Sequence, residues 1–506
     1  MSNKKLNIEM DDIKDLIKIV TDYTRRNIPL IDLKSQHPNG NKELNLFMGI
    51  KNDSFRTDME ASRGIYGSSE VDFKFRMLKS RLNRKLLNHL FFIDYSILKM
   101  PKSYLLRQEC QDYLHFSRAL LTVGEKKLAS KLLYKTVDLA SECEFTDLAI
   151  DGLKELRNVY ASDYRPKLFQ NVKQQLGEFQ ERLDEEEQAD AVYYETTLQI
   201  NSTINNRKKD LQYLVESLGF LKGKCDQIQS YNIYEKYFKL KIRHFELDGD
   251  FNGLLEYITQ MEQEFELGHI NENRFDPSIL WLAQLNAFQK LNRFKEGVSL
   301  AEQKLAGMEP EDNLWLDITE YHFLMLMHMN DFSQAGIILQ KVIDKNVLSQ
   351  KDEITNKKWD VYRGYTYYMT GNPRLIDNFD YQSFITDTPD YKKEMAGVNS
   401  ALIFLQIISG LKDDITTLDK KLDAVDDYIG KYLNNSFGKR TKLFYKLLQK
   451  VISNDRDYES VMPKSKYLED KLKEATIVPD VFADVEVVSY DYLWESIQRK
   501  LVDMRN

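Results

Sequence analysis

The sequence predicts an all-α fold, an alpha-solenoid of helix-turn-helix repeats preceded by a small helical module. Three observations carry this expectation. Only 21 glycines and 10 prolines punctuate 506 residues while 30% are charged, so helix breakers are scarce over long stretches. Apolar residues recur at i, i+3, i+4 and i+7, the face of an amphipathic helix. A turn in which one helix ends in Asn, Asp or Gly and the next opens on an aromatic recurs about every 40 residues. A chain of this length exceeds one ordinary core, and a 42% hydrophobic fraction suffices for a continuous one, which suits a repeat array.

An initial helix is expected from Met10 to Arg25. The polar, breaker-rich run Ser35-Gln36-His37-Pro38-Asn39-Gly40-Asn41 then reads as a connector. Thr57-Asp58-Met59-Glu60 is a capping box, in which the threonine and glutamate side chains satisfy each other's backbone donors, so a short helix opens there and ends at Tyr66-Gly67. A long helix is expected to start near Ser69 and to carry Lys74, Arg76, Lys79, Arg81, Arg84 and Lys85, with no acid between Asp72 and Asp94. A short capped helix, a glycine turn and a basic helix resemble a helix-turn-helix layout, in which cations hold phosphates, so these six residues are the candidate DNA or RNA contacts. Phe75, Leu78, Leu82, Leu86, Leu90 and Ile93 make the other side apolar, which equally suits a packed helix with a solvated basic face.

The clearest repeat turns are Gly249-Asp250-Phe251, Asn292-Arg293-Phe294 and Asn330-Asp331-Phe332. The helices that follow place Leu254, Leu255 and Ile258, then Gly297, Val298, Ala301 and Leu305, then Ala335, Gly336, Leu339 and Ile343 on one face. Small residues three positions in, Gly297, Ala335 and Ala129, let neighbouring helices approach closely. Weaker copies fall at Lys126 with Ala129, Leu133 and Val137, at Lys208 with Leu211 and Val215, and near Pro166, Pro373 and Lys412. The expected organisation is an N-terminal module over 1–104, a repeat array over 105–460 and a C-terminal cap or docking tail over 461–506. In the tail, Ile477-Val478-Pro479-Asp480 and Val485-Glu486-Val487-Val488 interrupt the pattern before a last helix from Asp491 to Asp503.

Leu291-Asn292-Arg293-Phe294-Lys295-Glu296-Gly297 resembles the turn between the two helices of a tetratricopeptide repeat. The resemblance covers three repeats and departs from the family's shorter period. It implies a TPR-like, right-handed superhelix with a concave surface that binds a protein or peptide.

Other features are weighed against plainer accounts. Asp248-Gly249-Asp250-Phe251-Asn252-Gly253 matches the start of a calcium-binding EF-hand loop, but Thr259 stands where that loop needs a bidentate glutamate. The seven histidines form no metal-ligand spacing, and His322 and His328, six apart, fall on different helix faces. Asp413-Asp414, Asp426-Asp427 and the run Asp184-Glu185-Glu186-Glu187 read as solvated helix faces, since adjacent helical residues point about 100° apart. Met325, Met327, Met329, Tyr362, Tyr365, Tyr367 and Tyr368 read mostly as core, with any exposed members suited to anchoring a peptide. No catalytic residue, metal or cofactor is expected.

Net charge is −8, so any nucleic-acid surface has to be local. Cys110, Cys143 and Cys225 are too scattered for a disulfide framework or zinc ribbon, and no run of 18 uncharged apolar residues occurs. A cytoplasmic protein with no membrane span is expected. The favoured function is a non-enzymatic scaffold, adaptor or sensor with a protein or peptide partner. The alternatives are a nucleic-acid-binding regulator acting through the basic helix, or an accessory subunit of a larger enzyme complex, for example one serving defence.

Overall fold

The computed structural model describes residues 41–475 and 486–505, apart from 69, 91–92, 94, 96–99, 203–206, 311, 313, 387–395, 413–421 and 423–438, together with residues 14 and 17. The described residues are helical throughout, joined by turns and short loops, with no strand among them. The chain divides into two compact units, Met1–Gln108 and Glu109–Asn506.

In the first unit most of the expected helix over 10–25 lies outside the described residues; Lys14 and Ile17 are helical and Ile17 is buried. Asn41, which the sequence places in a connector, instead caps α1 (Lys42–Lys51), its side chain accepting from the Glu43 and Leu44 amides at 3.1 and 3.2 Å. Asparagine favours this position because it satisfies amides that no preceding turn can reach. The capping box at Thr57 forms as expected and opens α2 (Asp58–Tyr66), which ends on Gly67 in the left-handed conformation at φ 68°. The long basic helix α3 (Phe73–His89) starts four residues later than Ser69, because the Asp72 carboxylate accepts from the Phe75 amide at 2.8 Å and fixes the first turn there. Leu46, Phe47, Ile50, Ala61, Phe75, Leu78, Leu82 and Leu86 form this unit's core.

The boundary between the units falls inside α4 (Lys102–Thr122). Then come α5 (Lys126–Glu142), α6 (Thr146–Ser162) and α7 (Pro166–Ser202), followed by α8 (Arg207–Gln227), α9 (Tyr231–Asp248) and α10 (Phe251–Glu266). The unit continues through α11 (Ser278–Lys290), α12 (Phe294–Leu305), α13 (Trp315–His328), α14 (Phe332–Asp344) and α15 (Glu353–Thr370). The short α16 (Tyr381–Thr386) and α17 (Ala396–Ser409) precede α18 (Lys439–Ile452), α19 (Tyr458–Glu474) and α20 (Tyr490–Arg505). Within the second unit, helices adjacent in sequence pack on one another from α5 through α15.

Among the described residues, one tight helix-to-helix turn recurs at six places. Gly124, Glu144, Tyr164, Gly249, Asn292 and Asn330 all have φ between 52° and 86°, and each next helix begins two residues later. In every case the amide after the left-handed residue bonds the carbonyl five residues back, from Glu125 to Leu120, Phe145 to Ala140, Arg165 to Tyr160, Asp250 to Phe245, Arg293 to Phe288 and Asp331 to Leu326. This is the Schellman arrangement, which closes off carbonyls a helix end leaves open.

The repeat positions pack as the sequence implies: Phe251 is buried, Phe294 and Phe332 are half-buried, and Ala129, Gly297, Ala301, Ala335 and Leu339 are buried. The copy at Lys208 fails in part, since Val215 is exposed and α8 buries Leu214, Leu218 and Leu221 instead. Near Pro373 only a single 3₁₀ turn (Pro373–Ile376) forms before the six residues of α16, because the extended backbone at Asp377 ends it. The copy near Lys412 runs into residues outside the described set.

A Cβ at Gly297 would lie 2.2 Å from the Met325 sulfur of α13 and 3.3 Å from the Phe288 Cβ of α11. Met325 is fully buried, so its thioether end would have to repack among core neighbours to make way. Gly297→Val is therefore expected to cost about 1–3 kcal/mol by overpacking, read as a lowered thermal midpoint. Gly177→Ala in α7, where nothing lies within 4 Å of the new methyl, should stabilise by about 0.5–1 kcal/mol. An equal response of the two variants would refute the close-packing role of Gly297.

The last helices are continuous with the unit's core. Trp494, Tyr490, Ile497 and Leu501 of α20 share one hydrophobic cluster with Phe444 of α18, Phe404 of α17 and Trp359 of α15. The Phe444 and Tyr490 rings stack with centroids 4.6 Å apart.

Candidate functional site

Two surfaces present themselves, one in each unit. In the first, the six cations of α3 separate into two groups. Lys79 donates to the Asp58 carboxylate at 2.9 and 3.0 Å, Arg81 lies 3.4 Å from Glu43, and Lys85 pairs with the same glutamate. Arg76 donates to the Val71 carbonyl at 3.2 Å. Lys74 and Arg84 make no ion pair among the described residues. Half of the candidate nucleic-acid contacts are thus held against acids of α1 and α2, and the other half are not. The helix that packs on both α2 and α3 is α1, an element the sequence reading did not contain.

The second surface is built by the first helices of consecutive pairs, α9, α11, α13 and α15, with the C-terminal half of α7 beside them. Polar side chains link α7 to α9, α9 to α11 and α13 to α15. Lys236 of α9 pairs with Asp190 of α7 at 2.5 Å. Arg243 and Glu246 pair within α9 at 3.0 Å, and Glu246 accepts from the Asn286 amide of α11 at 2.8 Å. On α13, Glu320 accepts from Lys358 and from the Tyr362 hydroxyl of α15 at 2.6 and 2.7 Å. Tyr321 beside it is held protonated well above the usual phenol range, by burial first and then by Glu246 and Glu320. Asp317 stands exposed on the same helix. Groups of both signs thus stand on α9, α13 and α15.

Two further clusters are buried. Glu186, expected on a solvated face, is only 4% exposed and accepts from Thr146 Oγ1 at 2.8 Å, Ser230 Oγ at 2.6 Å and Asn232 Nδ2 at 2.8 Å. Its position on α7 faces the α5–α6 turn and the start of α9, whereas Asp184 and Glu187 are exposed and Glu185 pairs with Lys224. Beside this cluster Arg274 donates to the Cys143 and Glu144 carbonyls at 3.1 and 3.0 Å and to Asn232 Oδ1 at 2.7 Å. Its guanidinium lies 4.9 and 4.8 Å from the Phe145 and Tyr231 ring centroids. Asn271 adds bonds to the Glu142 carbonyl and to Glu144, both at 2.9 Å, so the loop before α11 clasps the α5–α6 turn.

Toward the C-terminus Arg440 bonds both carboxylate oxygens of Glu486 at 2.9 and 3.0 Å, Asp491 at 2.7 Å, and the Leu472 and Ala475 carbonyls at 3.0 and 2.9 Å. Burial alone would depress its pKa; the bonds to Glu486 and Asp491 override this and raise it. The backbone oxygen of Glu486 also meets His328 Nε2 at 2.5 Å, and burial pulls that imidazole below its usual pKa. His322 sits elsewhere, beside Glu302 at 3.8 Å, and burial lowers its pKa as well.

The remaining sequence features fall into ordinary roles. Asp250, in the segment that begins like an EF-hand, caps α10 by accepting from the Gly253 amide at 2.9 Å. Asp413-Asp414 and Asp426-Asp427 lie outside the described residues. Met325, Met327, Tyr362 and Tyr365 are buried, Tyr367 and Tyr368 half-buried, and Met329 reaches the surface. Cys110 and Cys143 are buried thiols and Cys225 is half-buried. Among the described residues no group of three acidic, histidine or cysteine side chains could hold a metal, and no helix is long and apolar enough to cross a membrane. Comparison with protein-family models, with curated proteins and with solved structures returns no match.

Proposed function

We propose that residues 109–506 form a TPR-like, right-handed α-solenoid and that the protein is a non-enzymatic cytoplasmic adaptor or sensor which binds a protein or peptide. The observation that supports this most directly is the polar contacts between first helices, Glu246 with Asn286 across α9 and α11 and Glu320 with Lys358 and Tyr362 across α13 and α15, in helix pairs whose turns at Gly249, Asn292 and Asn330 share one geometry. Such groups give an extended chain hydrogen-bonding partners, and each helix pair relies on its neighbours to bury its apolar side. The partner it suits is a segment of mixed charge. A basic ligand would meet Lys358, and an acidic one would meet Glu246 and Asp317.

Affinity capture with quantitative mass spectrometry tests the reading. The combined variant Glu246→Lys, Asp317→Lys and Lys358→Glu should lose a partner that the wild type and an outer-face control, Lys295→Glu, both retain. All three chains need the same thermal midpoint within a few degrees. An identical capture profile from the three chains would sink the proposal.

A further inference from the structure

A cleft of about 280 Å³ opens between α7 and α9, lined by Tyr193, Thr197, Ile200, Lys239, Leu240 and Arg243. Its lining separates by chemistry. Ile200 and Leu240 are buried and make an apolar wall. Lys239 and Arg243 stand one helical turn apart on α9 and bring two cations to the same space. No acid lines it.

The acids that do touch these cations sit on α9 itself. Lys239 Nζ lies 2.7 Å from Glu235, and Arg243 Nη1 lies 3.0 Å from Glu246. An ammonium carries three donors and a guanidinium five, so one contact apiece leaves most of them for a ligand. These contacts also hold the two long side chains in place before a ligand arrives, which lowers the ordering cost of binding. Thr197 donates its hydroxyl proton to the Tyr193 carbonyl at 2.8 Å, so the donors the cleft offers come from Lys239 and Arg243.

We infer that this cleft binds a phosphate monoester carried on a small apolar or aromatic body. Lys239 and Arg243 take the phosphate, while Ile200 and Leu240 take the body. The donors of two cations exceed what the two oxygens of a carboxylate can accept, whereas a phosphate group offers three terminal oxygens and a charge of about −1.5 to −2 at neutral pH. Arginine's planar fork suits phosphate in particular. The volume is near the lower end for small-molecule sites, enough for one ring and one phosphate and too small for a folded partner. The inference goes beyond the adaptor reading, because it concerns a cleft reaching into α7 and holds whether or not the polar groups on α9, α11, α13 and α15 bind a peptide.

The test is a ³¹P NMR titration of phenyl phosphate with the full-length protein, with phenyl phosphate as the probe and benzoate as the competitor. The expected result is saturable binding that weakens about tenfold or more in Lys239→Gln and in Arg243→Gln, with benzoate at least about tenfold weaker as a displacer. Arg243→Lys, which keeps the charge and is milder for folding, should fall between wild type and Arg243→Gln. A phosphotyrosine peptide as second displacer separates the sources: displacement at lower concentration than free phenyl phosphate assigns the group to a modified protein, and weaker displacement assigns it to a free small molecule. Absence of saturation at millimolar ligand would overturn the inference, as would equal binding by wild type and the variants or equal displacement by benzoate.

Discussion

Arg440→Ala is expected to destabilise the C-terminal helices by about 3–5 kcal/mol, because it strips the partner from a buried carboxylate. Arg440 and Glu486 have side chains 10% and 8% exposed, and the same guanidinium closes the Leu472 and Ala475 carbonyls at the end of α19. Truncation leaves Glu486 charged in a poorly hydrated place and two carbonyls without their donor, and each loss adds to the cost. Hydrogen exchange should report the change in α18, α19 and α20, and the thermal midpoint should fall. The double variant Arg440→Ala with Glu486→Ala should cost clearly less than the two single changes added together, since it removes both charges. Strict additivity would mean that the two groups do not depend on each other.

Arg274→Ala is the second large effect, about 2–4 kcal/mol, because it removes three charge-assisted hydrogen bonds and two cation–π interactions together. Its particular signature is position. Arg274 sits in the loop before α11, yet its bonds end on Cys143 and Glu144 in the α5–α6 turn. Faster hydrogen exchange should therefore appear in residues 142–146 as well as in 271–275. Arg274→Lys should recover only part of the loss, because an ammonium lacks the planar fork that reaches two carbonyls and Asn232 together. If exchange quickens in 271–275 alone, the clasp does not bear on the earlier turn.

Much of the helical layout was legible because its signals are local. The Thr57 capping box, the glycine stop at Gly67 and the asparagine turns before Phe294 and Phe332 each depend on residues within one or two turns of one another. Two turns of the same geometry place Glu144 and Tyr164 in the left-handed position, where glycine or asparagine is the usual signal; the second was read through the copy near Pro166, and the first escaped notice. They set a step of one helix rather than one pair, so the spacing between Lys126 and Pro166 hid α6 inside it. Helix α1 was missed for the opposite reason: Asn41 belongs by composition to the connector that it ends.

The candidate site was far less legible. The basic run on α3 was visible as charge, but Glu43 and Asp58, which hold three of its six cations, come from other helices. Glu186 looked like one acid in a solvated run, and its three donors lie about 40 residues away on either side. Lys239 and Arg243 carried no signal of their own in the sequence, because the opposite wall of their cleft comes from α7. Partners distant in sequence leave no pattern in a window of helical length.

Helix α7 carries a mechanical consequence. Its 37 residues run from Pro166 to Ser202 without a break, a bar about 55 Å long at 1.5 Å per residue. Its first half packs on α6, Glu186 anchors its middle, and its second half walls the cleft against α9. Neighbouring helices elsewhere meet through short turns, whereas here two stretches of the unit are mounted on one shaft. A twist applied at either end has to reach the other undiminished or bend the shaft itself.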